Sequence, residues 1–366
     1  MTPELPAIGF ALPINSENRW SDLLAVMVAT DPGPACQLLG LDVDPGEVHV
    51  EREVTVDSAN RPDLILRVGN RRAAVIEVKV LAGLGPKQLH RYEEAEPGAD
   101  RYVVVFPERL VVDTKHASRW QSVTWEAVLA VYAESSHPWV QTCAMAWQAH
   151  LDEALPKVDA TTRWGGLVDD EPFVVAMRAR ASWVFANLDP PAGVEHDLIG
   201  SSAGASWPIR LYVPAAVPGY WAMVDVEERM GVRTIPKYAN AATHPPLGPS
   251  VKVVLLQENV TTSAGFDWDY LLAMAPLMAA ARDDWVQRTA TPKHPHDRAA
   301  HQAMVAKGGP KFLGVGFGEA QTKINGQCMF GARFQLPPDI TLGELVTTLN
   351  GTGELLLRMA EVQPAT

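Results

Sequence analysis

Cysteine is scarce: Cys36, Cys143 and Cys328 are the only three in 366 residues, odd in number and far apart. They form no CxxC pair and no ligand-spaced cluster, which argues against a disulfide framework and a zinc site and fits a reducing, cytoplasmic setting. The chain also lacks any run approaching the ~20 apolar residues that span a bilayer. Its longest apolar run, "YLLAMAPLMAAA" at 270–281, suits a buried helix. The first residues, "MTPELPAIGFALPI", include an acidic side chain and no basic cluster, so they do not read as a signal peptide. Positive charge is in deficit as well. With 31 Lys and Arg against 43 Asp and Glu, the formal charge is −12, which argues against coating nucleic acid by bulk electrostatics but is compatible with a local basic groove. Residues 1–155 hold 13 Lys and Arg against 22 Asp and Glu, so most of the deficit lies there. That imbalance suits either a site that collects divalent cations or a solvated acidic surface.

What is present is ordinary globular composition, 47% hydrophobic and 20% charged, at a length that suits two domains. "NSENRWSDLLAVMVAT" (15–30) opens on capping residues and then sets Trp20, Leu23, Leu24 and Met27 at helical spacing. "EVHVEREVTVD" (47–57) alternates as a strand, with Val48, Val50, Val54 and Val56 on one face. Segments 63–68 and 73–80 form a hairpin. "GPKQLHRYEEA" (85–95) reads as a helix, "RYVVVFPE" (101–108) as a buried strand, and "VTWEAVLAVYAE" (123–134) as an amphipathic helix. The chain then becomes helical and loop-like, with a domain boundary after residue 155. Beyond it, strands are expected in "WPIRLYVP", "YWAMVDVEE", "SVKVVLLQE", "GPKFLGVGFGEAQ" and "GQCMFGARFQL", with a helix interrupted at Pro276.

The hairpin "RPDLILRVGNRRAAVIEVKV" (61–80) carries Asp63, Glu77 and Lys79 where apolar residues would stabilise more. Centring its turn near Asn70 pairs residues whose numbers sum to about 140, setting Asp63 opposite Glu77 and Val68 opposite Arg72. Directly opposite residues have Cβ atoms about 4.5–5.5 Å apart. Strand alternation puts Glu77 and Lys79 on one face and Ile76, Val78 and Val80 on the other. A slip of one residue would separate Asp63 from the pair. Two close carboxylates repel unless a cation is bound, and a site with few carboxylates suits Mg²⁺ with a substrate phosphate as further ligand. Such an ion can acidify a bound water and neutralise charge on a phosphoryl oxygen, while Lys79 orients the water or stabilises the transition state. The arrangement suits phosphodiester hydrolysis. The plain alternative is a salt-bridged strand pair with Glu77 and Lys79 facing solvent.

Pro62-Asp63 followed by Glu77-Val78-Lys79 resembles the signature of the PD-(D/E)XK nuclease superfamily. Gln88 and Tyr92 in "QLHRY" look like the QxxxY element that follows the ExK strand in many members, and their i, i+4 spacing puts both on one helix face. Glu17 in "ENRWSDLL" is similar to the first-helix Glu of the family. The resemblance covers about residues 15–135 and is strongest to the bacterial branch associated with restriction and phage defence. It implies a restriction-endonuclease-like α/β core of order αβββαβα in residues 1–155, a mixed sheet flanked by helices. A second α+β domain over 156–366 would serve target recognition, dimerisation or partner binding.

The same resemblance implies a Mg²⁺- or Mn²⁺-dependent endonuclease acting on DNA before RNA. Asp63 and Glu77 would bind the metal with support from Glu17. Lys79 would position or activate the hydrolytic water, and Gln88 and Tyr92 would contact that water or the substrate backbone. Glu51 or Glu53 would complete the acidic cluster. Arg67, Arg71 and Arg72 at the hairpin tip would contact DNA backbone, or else form a solvated turn. Expected partners are nucleic acid and either a second copy or a partner protein of a defence system. The alternative is a non-catalytic or partner-activated nucleic-acid-binding scaffold on the same fold. Two other stretches are weaker. "KHPHDRAAHQ" (293–302), with His294, His296, Asp297 and His301, matches no familiar zinc spacing, and "GVGFGEAQTK" (314–323) lacks both GxGxxG and Walker spacing.

Overall fold

A computed structural model describes residues 17–53, 60–84, 87–112, 114–115, 117–199, 207–228, 240–243, 245–246, 248–258, 268–279, 286–288, 312–316 and 327–363. The chain divides into two compact units. The first runs to Lys157 and takes in Val174–Ser182 from later in the chain; the second holds Val158–Phe173, Trp183–Ile199 and the described residues from Trp207 onward.

The first unit contains α1 (Glu17–Thr30), α2 (Gly33–Leu39), β1 (Val48–Arg52), β2 (Leu64–Val68), β3 (Arg71–Val78), α3 (Gln88–Ala95), β4 (Arg101–Phe106), β5 (Trp120–Thr124), α4 (Trp125–Ala133) and α5 (Pro138–Ala154). Its sheet has the order β1-β2-β3-β4-β5, antiparallel from β1 to β3 and parallel from β3 to β5. The class is mixed α/β. β3 lies at the centre, and every residue from Ala73 to Val80 is buried, as its near-continuous β-branched and small apolar run requires of a strand covered on both faces. α3 lays Leu89 and Tyr92 against Val75, Tyr102, Val104 and Trp120. α1 buries Trp20, Leu24, Met27 and Val28, and Trp20 meets Trp125 of α4 and Trp147 of α5 at 4.9 and 4.5 Å between ring centroids.

Three local expectations change. The strand expected over 47–57 ends at Arg52, because Glu53 takes a left-handed φ of 50° and turns its amide to the Asp63 carbonyl; Val54 and Val56 lie outside the described residues. α2 and β5 are additions to the expected order αβββαβα, and α5 follows that order in the stretch expected to become helical. β5 hides in sequence because it carries Gln121 and Ser122 mid-strand, and only pairing with β4 defines it. Thr124 ends β5 and caps α4, its hydroxyl accepting from the Ala127 amide at 3.1 Å.

After α6 (Phe173–Ala186), the second unit builds an antiparallel sheet from β6 (Glu195–Leu198), β7 (Ile209–Pro214), β8 (Tyr220–Glu228), β9 (Pro249–Glu258), β10 (Val286–Arg288), β11 (Phe312–Gly316) and β12 (Gln327–Gln335). The order is β10-β12-β9-β8-β7-β6, with β11 also on β12. Among the described residues, the helices that follow are α7 (Trp268–Ala279) and α8 (Leu342–Glu361). α7 runs through Pro276 without the expected interruption, since a proline removes one backbone donor and kinks a helix without having to end it. α8 starts with a capping box, Thr341 and Glu344 bonding each other's backbone amides. Among the described residues no helix is long and apolar enough to cross a membrane. The histidine-bearing stretch at 293–302 and most of 314–323 lie outside the described residues.

Candidate active site

The hairpin turn decides which residues meet. Gly69, with φ +56°, and Asn70 make a two-residue turn that pairs Val68 with Arg71 and Arg67 with Arg72, not Val68 with Arg72 as expected. Continued unbroken, that register would set Asp63 against Ile76. A β-bulge intervenes. The ladder resumes as Leu66 with Ala74, Ile65 with Val75 and Leu64 with Ile76, leaving Ala73 as the extra residue. Carried one residue past the last ladder pair, Leu64 with Ile76, this register sets Asp63 against Glu77. The bulge therefore absorbs the slip that would otherwise have parted the two carboxylates.

The site forms where β2 gives out beside β3. Asp63 Oδ2 accepts the Val78 amide at 2.8 Å. On the other side of the strand, the Lys79 amide reaches the Val105 carbonyl at 2.7 Å, prolonging the pairing with β4, and the Trp125 indole donates to the Lys79 carbonyl at 3.1 Å. The side chains of Glu77 and Lys79 are buried, contrary to a solvent-facing ion pair. Lys79 Nζ lies 2.6 Å from Glu77 Oε1 and 3.8 Å from Glu17 Oε2.

α3 delivers the next pair. Gln88 Nε2 donates to Glu77 Oε1 at 2.6 Å and to Tyr92 Oη at 3.0 Å, and the Tyr92 hydroxyl donates to the Arg61 carbonyl at 3.2 Å. Helical i, i+4 spacing makes this possible, while Leu89 and Tyr92 packing on Val75 fixes the helix against the sheet. Glu17, first residue of α1, accepts the amides of Val80 and Ala82 on Oε1 at 3.0 and 2.9 Å.

The electrostatics follow from burial. Loss of water pushes the Glu77 carboxyl up to about 7; Asp63 and Glu17 add to the rise and Lys79 opposes it. Burial also raises Asp63, against the pull of the Val78 amide and Lys79. Burial disfavours the Lys79 ammonium, yet the carboxylates of Glu77, Glu17 and Asp63 outweigh it and hold its pKa above the ordinary value. Tyr92 is raised by burial and by Glu77.

The other expected residues fall further out. Glu51 turns to Arg67 at 2.7 Å, and Glu53 meets Arg52 at 3.2 Å and Arg61 at 3.3 Å. At the hairpin tip, Arg71 faces Asp100 at 3.3 Å and Arg72 pairs with the buried Glu96. Three residues beside the site went unmarked in the sequence. Arg52 donates to the Asn18 and Asp63 carbonyls and bonds Asp22. Trp125 is the second. The third, the fully buried Arg178 of α6, donates to the Val111 carbonyl; burial pulls its pKa down to about 10, with Glu17 opposing. None carries a local motif, because each acts through partners distant in sequence.

A divalent cation can be tested against the donor set. Glu77 Oε2 is buried and has no hydrogen-bond partner, and Asp63 Oδ1 has Arg52 at 4.0 Å. Among the described residues no group of three or more His, Cys, Asp or Glu side chains forms a metal cage. Two carboxylate oxygens fit Mg²⁺, which keeps several waters, better than ions that demand an all-protein shell. Comparison with models of protein families, with curated proteins and with solved structures finds no match to this chain.

Proposed function

We propose that the first unit is a metal-dependent nuclease of the restriction-endonuclease-like type, hydrolysing phosphodiester bonds of DNA. The observation that carries this is the meeting of Asp63, Glu77 and Lys79 at the end of β3, with one Glu77 oxygen buried and unbonded. Asp63 and Glu77 would hold Mg²⁺ or Mn²⁺. Bound there, the ion would acidify a water and neutralise charge growing on the phosphoryl oxygen. Lys79 stays an ammonium across the neutral range, so it serves by donating hydrogen bonds and by its charge, orienting the nucleophile or the phosphate and not abstracting a proton. Gln88 restrains Glu77, and Tyr92 ties α3 to Arg61, two residues before Asp63. A role in restriction or phage defence is proposed with it from the sequence resemblance. The test is cleavage of plasmid DNA by purified protein in Mg²⁺ or Mn²⁺. Lys79→Ala and Asp63→Asn are expected to abolish it while leaving circular dichroism unchanged. Cleavage surviving both substitutions would falsify the assignment.

One observation favours a second assignment, a scaffold that binds nucleic acid only with a partner. The hairpin-tip cations Arg67, Arg71 and Arg72 each already face a carboxylate. Mn²⁺ titration separates the two, since a scaffold has no need of an ion at Asp63 and Glu77.

A further inference from the structure

Backbone amides alternate sides along a strand. The Val78 amide, last in β3, falls past the end of the β2 ladder, and the amides of Val80 and Ala82 follow where the chain bends away from the sheet. None of the three is bonded there by a strand. Asp63 Oδ2 takes the first, and Glu17 Oε1 takes the other two, at 3.0 and 2.9 Å. Carboxylates thus take the backbone amides on both sides of Lys79. The second Glu17 oxygen faces Lys79 Nζ at 3.8 Å. One Glu17 oxygen is therefore taken by two neutral donors, and the other lies within ion-pair reach of a cation that the chain itself supplies.

Resting on the nuclease assignment, we infer that Glu17 is a positioning residue, which aims Lys79 by clamping the end of its strand to α1, and is not a ligand of the metal. Buried amides need partners, so the clamp sets the path of the chain on both sides of Lys79. The ammonium is held between Glu17 and Glu77 instead of swinging free on its four-carbon stem. Metal coordination through Oε1 would compete with the two amides, and through Oε2 it would set a cation against the Lys79 ammonium that this oxygen faces, so either would disturb the lysine that the reaction uses.

The test uses the full chain with Glu17→Ala and Glu17→Gln, read by amide exchange, Mn²⁺ binding and cleavage kinetics. Glutamine keeps an acceptor oxygen for the two amides; alanine removes it. In Glu17→Ala the Val80 and Ala82 amides are expected to exchange about tenfold faster or more, as loss of a hydrogen bond implies. Its Mn²⁺ affinity should be unchanged, and kcat should fall about 100-fold at constant KM, the scale of a misplaced catalytic group. Glu17→Gln should keep the amides protected and recover part of kcat. Mn²⁺ affinity lowered about tenfold or more in Glu17→Gln, with the amides still protected, would make Glu17 a ligand and overturn the inference. Unprotected amides with undiminished kcat would reduce the clamp to a structural feature and overturn it equally. If the wild-type protein neither binds Mn²⁺ nor cleaves, the nuclease assignment fails first, and protected amides then mark a clamp without a reaction to serve.

Discussion

Lys79 Nζ meets Glu77 at a single carboxylate oxygen, 2.6 Å away, and the other oxygen of Glu77 stays buried and unbonded. One ammonium is set among three carboxylates, those of Glu17, Asp63 and Glu77. Such a cluster is a poor way to stabilise a fold, because buried charge is tolerated only when each charge finds a partner. It becomes reasonable once an ion adds to it, and the consequences can be measured without any substrate.

The first consequence is a pH dependence of stability. The Glu77 carboxyl is raised from 4.5 to about 7 on folding, so folding favours its protonated form. The corresponding stabilisation is complete below the unfolded pKa and is lost as pH rises through 7; Asp63 shifts in the same direction. In chelator, thermal stability should fall from about pH 5 to 8, and Glu77→Gln should flatten that fall by up to about 3 kcal/mol. A Glu77→Gln profile that tracks the wild type at every pH would rule out the buried carboxyl as its cause.

Gln88 and Tyr92 should behave as one unit. Gln88 bonds both Glu77 and Tyr92, and Tyr92 bonds Arg61. Gln88→Ala and Tyr92→Phe are each expected to cost about 1 kcal/mol in urea unfolding. The double variant should depart from additivity by about 0.5 kcal/mol or more. Strict additivity would mean that the two act separately.

In the second unit, Asp225 of β8 is held by Arg210 of β7 at 2.7 and 3.2 Å and lies 3.7 Å from Lys252 of β9. All three are cross-strand neighbours, and both Asp225 and Lys252 are buried. Asp225→Ala leaves two cations without this carboxylate and is expected to cost about 3–5 kcal/mol. Denaturation within experimental error of wild type would show that the three do not depend on one another.

Gly331 tests the register of β12 on β9. A Cβ at that position would lie 2.0 Å from the Val253 carbonyl oxygen, a backbone atom unable to retreat without parting the strands. Gly331→Ala should destabilise by more than about 3 kcal/mol and raise amide exchange in β9 and β12. A neutral substitution would mean that the two strands pair in another register.

Much of the first unit is legible because its signals are local. The helical spacing of Trp20, Leu24 and Met27, the β-branched run 73–80 and the i, i+4 step from Gln88 to Tyr92 each lie within one element. β5 is not legible, since "WQSVT" has too little periodicity to declare itself without β4 beside it. Arg178 is illegible for another reason. It comes from a helix whose stretch Val174–Ser182 returns to the first unit after the chain has left it, and no window of sequence reports such a return.

By itself, then, the sequence determined which side chains alternate onto the face of β3 and which helix positions stand together, because both follow from the geometry of a single element. The tertiary structure decided the rest. The bulge at Ala73 chose between two registers one residue apart, and a register belongs to two strands at once. Enclosure by the sheet and α3 turned Glu77 and Lys79 from an ordinary ion pair into buried, mutually perturbed charges, because desolvation is a property of everything that surrounds a group. Glu17 acquired its two amides only because the fold brings the start of α1 against the bend that follows β3, a meeting of segments more than sixty residues apart.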